Sequence, residues 1–320
     1  MTAEVGLDCR CELGEGPIWD DRSGRLLFVD INGHRVHSFD PVTRTHQTSD
    51  AGQYVSAIAL TADGGYLVTL QHDVVRFDLE RGVGERLASV EPERDDTRLN
   101  DGYVDPRGRF WAGTMSLVKK AGQGALYRFG GAALQGPRLS VTKMLDGVGT
   151  SNGIDWSADE RRMYYVDTAT RRIDVFDFDA ETGSITNRRP LVTIQESDGK
   201  PDGLILDEEG FIWVALWQGS AVRRYSPDGR FVQQINLPVS CPTKCAFGGD
   251  RLDELYITTA KSPREGAARG IGAPRATEPG GVQGSPPERL EPHAGSVFVA
   301  RPGVGGRVAI RFGSGFRPAG

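Results

Sequence analysis

The sequence predicts an all-β fold and, within that class, a six-bladed β-propeller. Three observations lead to this prediction. One kind of turn recurs about every 40–50 residues, two short apolar strands follow each turn, and helical periodicity is weak along the whole chain. Propeller blades of four short strands repeat at about this period. Six such units account for a chain of 320 residues.

The repeated turns combine an acidic or hydroxyl residue with a nearby glycine in most copies. Turns of this kind between alternating apolar residues are typical of β-hairpins. The turn copies are DRSGR, TADGG, DPRGR, SADERR, DEEGF and GGDRLDE. The strands that follow them directly are LLFVDI, YLVTL, FWAGTM, MYYVDT, IWVALW and LYITTA. The next strands are RVHSFDP, DVVRFDLE, GALYRFG, RIDVFDFD, AVRRYSPDG and GSVFVARP.

Both ends of the repeat carry a further prediction. The segment 5–13 precedes the first full hairpin. We expect it to pair with the last blade, because this closes the ring and removes open sheet edges. The segment at about 262–295 is rich in Gly, Pro and Arg and has no strand periodicity. It predicts a surface insertion in the last blade, with a lid or an oligomer contact as the alternative. We expect one domain spanning residues 1–320.

Composition and charge exclude several classes of protein. The formal net charge of −5 leaves no basic footprint, so we expect no nucleic-acid partner. No run approaches the roughly 20 apolar residues of a membrane span. The N-terminal stretch MTAEVGLDCRCELG lacks the basic start and apolar stretch of a secretory signal, which predicts a cytoplasmic protein. The oligomeric state stays open.

The cysteines and histidines do not predict a site. The cysteines stand at C-x-C and C-x₃-C spacings, which are not the usual zinc patterns, and we expect reduced thiols on strands. These are Cys9, Cys11, Cys241 and Cys245. Of the five histidines, His34 and His37 are expected to be exposed turn or strand residues. A nucleophilic triad is not favoured, since no G-x-S-x-G elbow occurs.

Four polar loops stand just before predicted strands at matching points of the repeat. Loops from different blades converge at the mouth of a propeller channel, so their side chains can meet. Any one of them could be a plain turn, because Asn and Asp before Gly are common turn formers. Four matched copies favour a site. The loops are LGEGPIWD with Glu15, RLNDGYVDPRGRFWAGT with Arg98, Asn100 and Asp101, GTSNGIDWSAD with Asn152, and KPDGLILDEEGFIWVA with Asp202.

Three of these residues predict a metal site. Glu15, Asn152 and Asp202 offer only oxygen ligands, which suit a hard divalent cation. Three protein ligands leave room for water and substrate, as a catalytic metal requires. We expect one divalent metal ion at the centre of the propeller, with Ca²⁺, Mg²⁺, Mn²⁺ and Zn²⁺ all open.

These loops, together with FVDINGHRVHSFDP, DVFDFDAETGSITNRR and CAFGGDRLDELYITTA, resemble the SMP-30/gluconolactonase/regucalcin family of six-bladed propellers. The resemblance runs through nearly the whole chain. It implies a metal-dependent lactonase acting on a small-molecule lactone. It assigns metal binding to Glu15, Asn152 and Asp202, and proton transfer to Asp202. It also implies that Arg98 and Asn100 contact the substrate.

One position departs from the sugar-lactonase pattern. In that branch of the family an acidic residue shortly after A-G-T-M binds sugar hydroxyls. Here Ser116, Leu117 and Val118 follow, and no acid occupies the place. A carboxylate accepts hydrogen bonds from paired hydroxyls and a leucine cannot. A lactone with fewer hydroxyls than gluconolactone is therefore expected.

The residues leave three hypotheses about function. The first is a hydrolase that opens a lactone by attack of a water molecule activated by Asp202. The second uses the same oxygen ligands for a calcium-binding regulatory propeller without catalysis. The third is a protein-binding propeller in which the polar residues of the mouth have no chemical role.

Overall fold

A computed structural model describes residues 1–118, 120–130, 138–261 and 291–314. The described residues form six four-stranded antiparallel sheets, so the predicted six-bladed β-propeller is confirmed. Most of the insertion predicted at about 262–295 lies outside the described residues. Within the described ranges, no helix has the length and apolar character needed to cross a membrane.

The strands follow the predicted hairpins closely. Two 3₁₀ turns, Thr168–Thr170 and Glu196–Asp198, interrupt them. In chain order the strands of the described residues are β1 Glu4–Leu7, β2 Gly14–Asp20, β3 Arg25–Asp30, β4 Arg35–Phe39, β5 His46–Asp50, β6 Ala57–Leu60, β7 Tyr66–Thr69, β8 Asp73–Asp78, β9 Gly82–Ser89, β10 Thr97–Val104, β11 Phe110–Ser116, β12 Gly124–Phe129, β13 Val141–Val148, β14 Ser151–Trp156, β15 Arg162–Asp167, β16 Arg172–Asp179, β17 Ser184–Thr193, β18 Lys200–Leu206, β19 Ile212–Trp217, β20 Ala221–Tyr225, β21 Phe231–Asn236, β22 Pro242–Gly248, β23 Glu254–Thr259 and β24 Val297–Ala300.

Each blade begins at the central channel and ends at the rim. The first strands β2, β6, β10, β14, β18 and β22 contact one another in a closed ring. Blades one to five follow the chain, from β2–β5 to β18–β21. The sixth blade has the order β22-β23-β24-β1, with Glu4 opposite Val299. The N-terminal strand thus closes the ring as the sequence predicts.

The core is divided among the blade interfaces. Among the described residues, one apolar cluster fills each of the six gaps between neighbouring blades. Between blades three and four, Trp111 packs against Trp156 with ring centroids 5.7 Å apart. Between blades six and one, Trp19 stacks on Tyr256 at 5.8 Å. Large aromatic surfaces contribute most of the burial that joins such sheets.

The acidic turns are tied to the aromatic strands that follow them. Asp105 accepts a hydrogen bond from Trp111 Nε1 at 3.0 Å, and its other oxygen accepts from two backbone N–H groups of its own turn. Asp207 repeats the arrangement with Trp213 Nε1 at 2.9 Å. A buried indole N–H needs an acceptor. The recurrence of an acidic turn before an aromatic strand therefore has a structural cause.

The C-terminal segment crosses one end of the channel. Arg307 Nη2 lies 3.0 Å from both carboxylate oxygens of Asp155, near the end of β14. Gly306 and Phe312 form bridges to Asp207 and Thr61, each just after the first strand of its blade. The predicted polar loops lie at the opposite ends of the first strands. The channel mouth at that end is therefore where a functional site is expected.

Candidate functional site

The predicted polar residues sit at breaks in strand register. Where a first strand pairs with the second strand of its blade, the register shifts at each of the four predicted loops. A bulge of this kind re-aims side chains. In the second blade, β6 pairs with β7 without a shift and supplies none of the predicted residues. The shifts fall between Glu15 and Ile18, Leu99 and Gly102, Ser151 and Ile154, and Pro201 and Leu204.

Glycines next to the polar residues let the first strands approach each other. A Cβ atom at Gly153 would lie 2.3 Å from the backbone nitrogen of Leu204. One at Gly203 would lie 2.4 Å from Cβ of Lys244. No larger residue fits at either position without moving a neighbouring strand. This close approach brings the residues of three blades together at the channel.

The orientation of Asn152 follows from its hydrogen bonds. Thr168 Oγ1 lies 2.8 Å from the carbonyl of Pro201, which can only accept, so the hydroxyl donates there. The same hydroxyl must then accept from Asn152 Nδ2, at 2.7 Å. The amide nitrogen is therefore held away from the channel, and Oδ1 faces Asn100 at 3.0 Å. The structure presents the atom that a hard cation requires.

We expect Thr168→Val to weaken metal binding while leaving the fold intact. Valine keeps the shape of threonine but cannot accept from Asn152 Nδ2, so the amide loses one of the two hydrogen bonds that fix its orientation. Loss of an outer partner of a ligand typically costs about 10- to 100-fold in metal affinity. Isothermal titration calorimetry with each cation measures the change. Thr170→Val is the matched control, since Thr170 donates to Asp167 and does not contact Asn152. Equal affinities in the two variants would contradict the assigned role.

Asn100 links Arg98 to Asn152. Arg98 Nη1 donates to Asn100 Oδ1 at 2.5 Å, and Asn100 Nδ2 donates to the carbonyl of Ser151 and to Asn152 Oδ1. Both polar ends of the Asn100 amide are thereby used. Arg98 Nε is buried and has no hydrogen-bond partner among the described residues. An unused donor on a buried guanidinium is suited to an oxygen of a bound molecule.

The acidic residues of the mouth repel one another. Glu15 and Asp202 are buried, and burial is the largest cause that raises the pKa of each. The pKa of Glu15 rises to about 8, with the charge of Asp101 as the second cause. The pKa of Asp202 lies well above its usual value, because the charges of Glu15 and Asp101 add to burial. Arg98 and Lys244 offset part of the effect on both acids.

Lys244 is a member of this cluster that sequence reasoning missed. It lies in β22, in the sixth blade, and its Nζ donates to Asp101 Oδ1 at 2.5 Å with both side chains buried. The stretch SCPTKCAFGG has no Asn-Gly or Asp-Gly pair, so it does not match the repeated polar loops. The available signal was a lysine inside a strand of small and apolar residues, where a buried cation needs a partner.

The chemistry of the donor set fits a divalent cation. Three buried carboxylates, on Glu15, Asp101 and Asp202, meet two buried cations, on Arg98 and Lys244. The excess negative charge and the raised pKa values of Glu15 and Asp202 are what a bound dication would relieve. The amide oxygen of Asn152 adds a neutral hard donor. Glu15, Asn152 and Asp202, predicted from the sequence, are the residues that would hold the ion.

Leu117 directly follows β11 and lies opposite Asp96, two residues before Arg98. In the pairing of β10 with β11, Met115 is opposite Arg98, and the backbone N–H of Leu117 donates to the carbonyl of Asp96 at 2.8 Å. Leu117 is 8% exposed, whereas Val118 is 62% exposed. A buried leucine thus occupies the place where the sugar-lactonase pattern has an acid.

One expectation about histidine is wrong. His37 is 4% exposed and not at the surface, since β4 carries it into the first blade. Its ring stacks on Phe28 with centroids 4.6 Å apart. Burial lowers the pKa of His37 to about 4. Of the four cysteines, which were expected on strands, Cys245 alone lies in one, and all but Cys9 are buried.

Comparison with known proteins agrees with the fold and the repeated loops. The family model described as the SMP-30/Gluconolactonase/LRE-like region matches residues 13–261. Regucalcin of Xenopus laevis is 38% identical over 255 residues, which cover 78% of this chain and 83% of that protein. A Bacillus subtilis (strain 168) protein provisionally named sugar lactone lactonase YvrE is 36% identical over 314 residues, covering 98% and 99%.

A solved structure shows the same similarity. Regucalcin from Agrobacterium tumefaciens strain C58, described as a calcium-binding protein, superposes with a TM-score of 0.83 at 26% identity. The superposition covers 97% of this chain and 97% of that one. The described blades of the two proteins therefore share one architecture over nearly their full lengths.

Proposed function

This chain belongs to the SMP-30/gluconolactonase/LRE-like family, and on that premise we propose that it is a metal-dependent hydrolase that opens a small lactone. The observation that carries the proposal is that Glu15, Asn152 and Asp202 each stand at a register shift of a first strand, and that the charges of Glu15 and Arg98 both act on Asp202. The similarity to the provisionally named B. subtilis lactonase, which extends over 98% of this chain, supports the same reaction class.

The metal ion is a proposed cofactor held by Glu15, Asn152 and Asp202. When bound, such an ion polarises a carbonyl and lowers the pKa of a bound water molecule. Asn152 is kept in position by Thr168, and Glu15 by a hydrogen bond from the backbone of Gly16 at 2.9 Å. Both ligands are therefore preorganised. The identity of the ion among Ca²⁺, Mg²⁺, Mn²⁺ and Zn²⁺ is left to experiment.

Asp202 is the proposed acid and base. Its carboxylate accepts a proton from the water whose oxygen attacks the lactone carbonyl carbon. The ring C–O bond then breaks, and Asp202 returns the proton to the departing ring oxygen, which gives a hydroxy acid. A carboxylate positioned beside the water can serve in both steps. Burial and the nearby charges of Glu15 and Asp101 raise the pKa of Asp202 in the metal-free protein, and a bound cation would lower it.

Arg98 is the proposed substrate anchor. Its Nη1 is used within the protein, while its buried Nε has no partner among the described residues. Nitrogen donors in this fork can hold the ester oxygens of a lactone. Asn100 was predicted to contact substrate as well. Its contacts with Arg98 and Asn152 support a role in which it couples the substrate anchor to the metal ligand.

A pH-indicator assay over a panel of lactones tests the proposal. Metal-free protein is compared with protein reconstituted separately with Mg²⁺, Mn²⁺, Ca²⁺ and Zn²⁺, after calorimetry has shown that each ion is bound. We expect turnover of at least one lactone that depends on the ion. Absence of turnover on every lactone and related ester, with the metal bound, would contradict the proposal.

We expect Leu117 to set the preference between lactones. Leu117→Glu places a carboxylate directly after β11, in the blade that carries Arg98, where it could accept hydrogen bonds from substrate hydroxyls. The ratio of kcat/KM for gluconolactone to that for a lactone without hydroxyls should rise by about tenfold, as expected for one satisfied polar contact. Steady-state kinetics of both substrates measure it. Val118→Glu, at an exposed neighbour, should leave the ratio unchanged. An equal shift in both variants would rule out a local effect of Leu117.

A calcium-binding role without catalysis is the second candidate. It is favoured by the solved relative that is described as a calcium-binding protein. The two candidates differ in what the bound ion does. A binding protein would show calcium affinity under the conditions of the lactone assay and no turnover with any ion. Preferential binding of Ca²⁺ over Mg²⁺ in calorimetry, together with an inactive panel, would select this candidate.

A further inference from the structure

A second group of metal-binding side chains lies away from the channel mouth. Cys11, Asp30 and His37 are buried, and one ligand atom from each lies within 4.8 Å of the other two. Cys9 Sγ is 3.6 Å from Cys11 Sγ. The cysteines belong to the connection between β1 and β2, whereas Asp30 ends β3 and His37 lies in β4. The group therefore sits at the seam where blade six meets blade one.

The distances match the edges of a tetrahedral zinc site. With Zn–S of about 2.3 Å and Zn–N of about 2.0–2.1 Å, a tetrahedron has S···S edges of about 3.8 Å and S···N edges of about 3.6 Å. The observed separations are 3.6 Å between Cys9 Sγ and Cys11 Sγ, and 3.8 Å between Cys11 Sγ and His37 Nε2. Cys9 Sγ would have to turn toward the ion, because the ligand atoms that already lie within 4.8 Å of one another are those of Cys11, Asp30 and His37.

His37 has the outer partner that metal-binding histidines usually have. Its Nδ1 lies 2.9 Å from His46 Nε2. A proton on His37 Nδ1 can be donated to His46, which leaves the lone pair of His37 Nε2 directed at Cys11. The stacking on Phe28 holds the plane of the ring.

Asp30 completes the group. Its Oδ1 accepts hydrogen bonds from the backbone N–H groups of Leu13 and Gly33, and its Oδ2 accepts from Glu12. Asp167 makes similar backbone contacts in blade four, so these bonds have a structural cause. Oδ2 of Asp30 has one such bond, and an ionised carboxylate oxygen has capacity for a second contact. It is the available fourth ligand.

We propose that Cys9, Cys11, His37 and Asp30 bind one Zn²⁺ ion at the seam of the ring. The sequence argued against a site here, because C-x-C is not a zinc spacing and His37 lies 26 residues from Cys11. The fold brings these side chains together although their spacing in the sequence does not predict a zinc site. The ion joins the β1–β2 connection to β4, and so fastens the four-residue strand that closes the propeller. Cys9 is partly exposed and provides the route of entry.

Cobalt substitution of the full-length protein tests the proposal. Protein purified under reducing conditions is stripped of metal and titrated with Co²⁺. We expect a near-ultraviolet thiolate-to-cobalt charge-transfer band and the visible bands of a tetrahedral ion, both removed by one equivalent of Zn²⁺. Cys11→Ser and His37→Gln should lose the charge-transfer band. Cys245→Ala is the matched control, because Cys245 is buried in the core between blades five and six. Glu15→Gln should also keep the band, which separates the seam from the channel mouth.

A second measurement uses the wild-type protein, so it tests the proposal even if the variants fail to fold. In the wild-type protein, Zn²⁺ should slow the reaction of two thiols with a disulfide reagent, and peptide mapping should identify them as Cys9 and Cys11. The proposal is overturned if the wild type shows no charge-transfer band and no zinc protection. It is also overturned if the band survives Cys11→Ser. A failed lactone assay leaves these readouts unaffected, because none of them depends on turnover.

Discussion

Replacing Asp202 by Asn will reduce lactone hydrolysis by about 10²- to 10⁴-fold in kcat, the usual contribution of a positioned acid or base. The amide has nearly the shape of the carboxyl group but cannot accept and return the proton. Its oxygen remains a metal ligand, so binding should weaken and not disappear. Kinetics at saturating metal, with binding followed by calorimetry, separate the two effects.

The same substitution should not destabilise the metal-free protein. The pKa of Asp202 is raised above that of an unfolded aspartate, so its favourable contribution exists below about pH 4 and is lost as pH rises through the folded pKa. Near pH 7, Asn is neutral and avoids the cost of placing a carboxylate in this buried acidic cluster. Thermal unfolding in chelator should show an equal or higher Tm. A purely structural Asp202 would give the opposite result.

Asp198→Asn is the control for this prediction. Asp198 lies four residues earlier and forms a partly exposed ion pair with Arg223. Its loss should change kcat little. Hydrolysis by Asp202→Asn within threefold of wild type at saturating metal would contradict the role of Asp202 as acid and base.

Lys244→Met will destabilise the metal-free protein by about 3–5 kcal/mol, the usual cost of breaking a buried ion pair by removing one partner. Asp101 Oδ2 already lacks a hydrogen-bond partner among the described residues, and Oδ1 would lose Nζ of Lys244. The unpaired carboxylate would remain buried beside Glu15 and Asp202. Urea denaturation in the presence of chelator measures the free energy of unfolding.

The double variant Lys244→Met/Asp101→Asn identifies the cause. It removes both charges and should recover much of the lost free energy, since a buried pair contributes little net stability over neutral groups. Lys261→Met is the matched surface control. Lys261 pairs with Glu12 at the surface, where an ion pair contributes about 0–1 kcal/mol. A cost for Lys244→Met no larger than that of the control would show that Asp101 does not need its partner.

The sequence by itself determined the blades and most of the proposed mouth. Turns, strands and polar loops are local features, and they repeat. The pairs Asp105–Trp111 and Asp207–Trp213 show why the pattern can be recognised in the sequence. In each of these two blades, the acidic turn accepts a hydrogen bond from an indole six residues later. The strand that closes the ring was also predictable, because an open sheet edge is unfavourable and only the last blade could pair with it.

The tertiary structure alone decided which way atoms point and which distant residues meet. Asn152 presents its oxygen because the Thr168 hydroxyl donates a hydrogen bond to the carbonyl of Pro201 and so accepts one from the Asn152 amide nitrogen. Lys244 pairs with Asp101 across 143 residues, and His37 reaches Cys11 across the seam of the ring. None of these contacts repeats from blade to blade, so no period reveals them. They depend on where the packing of all six blades places individual side chains. That packing is determined by the free energy of the whole ring.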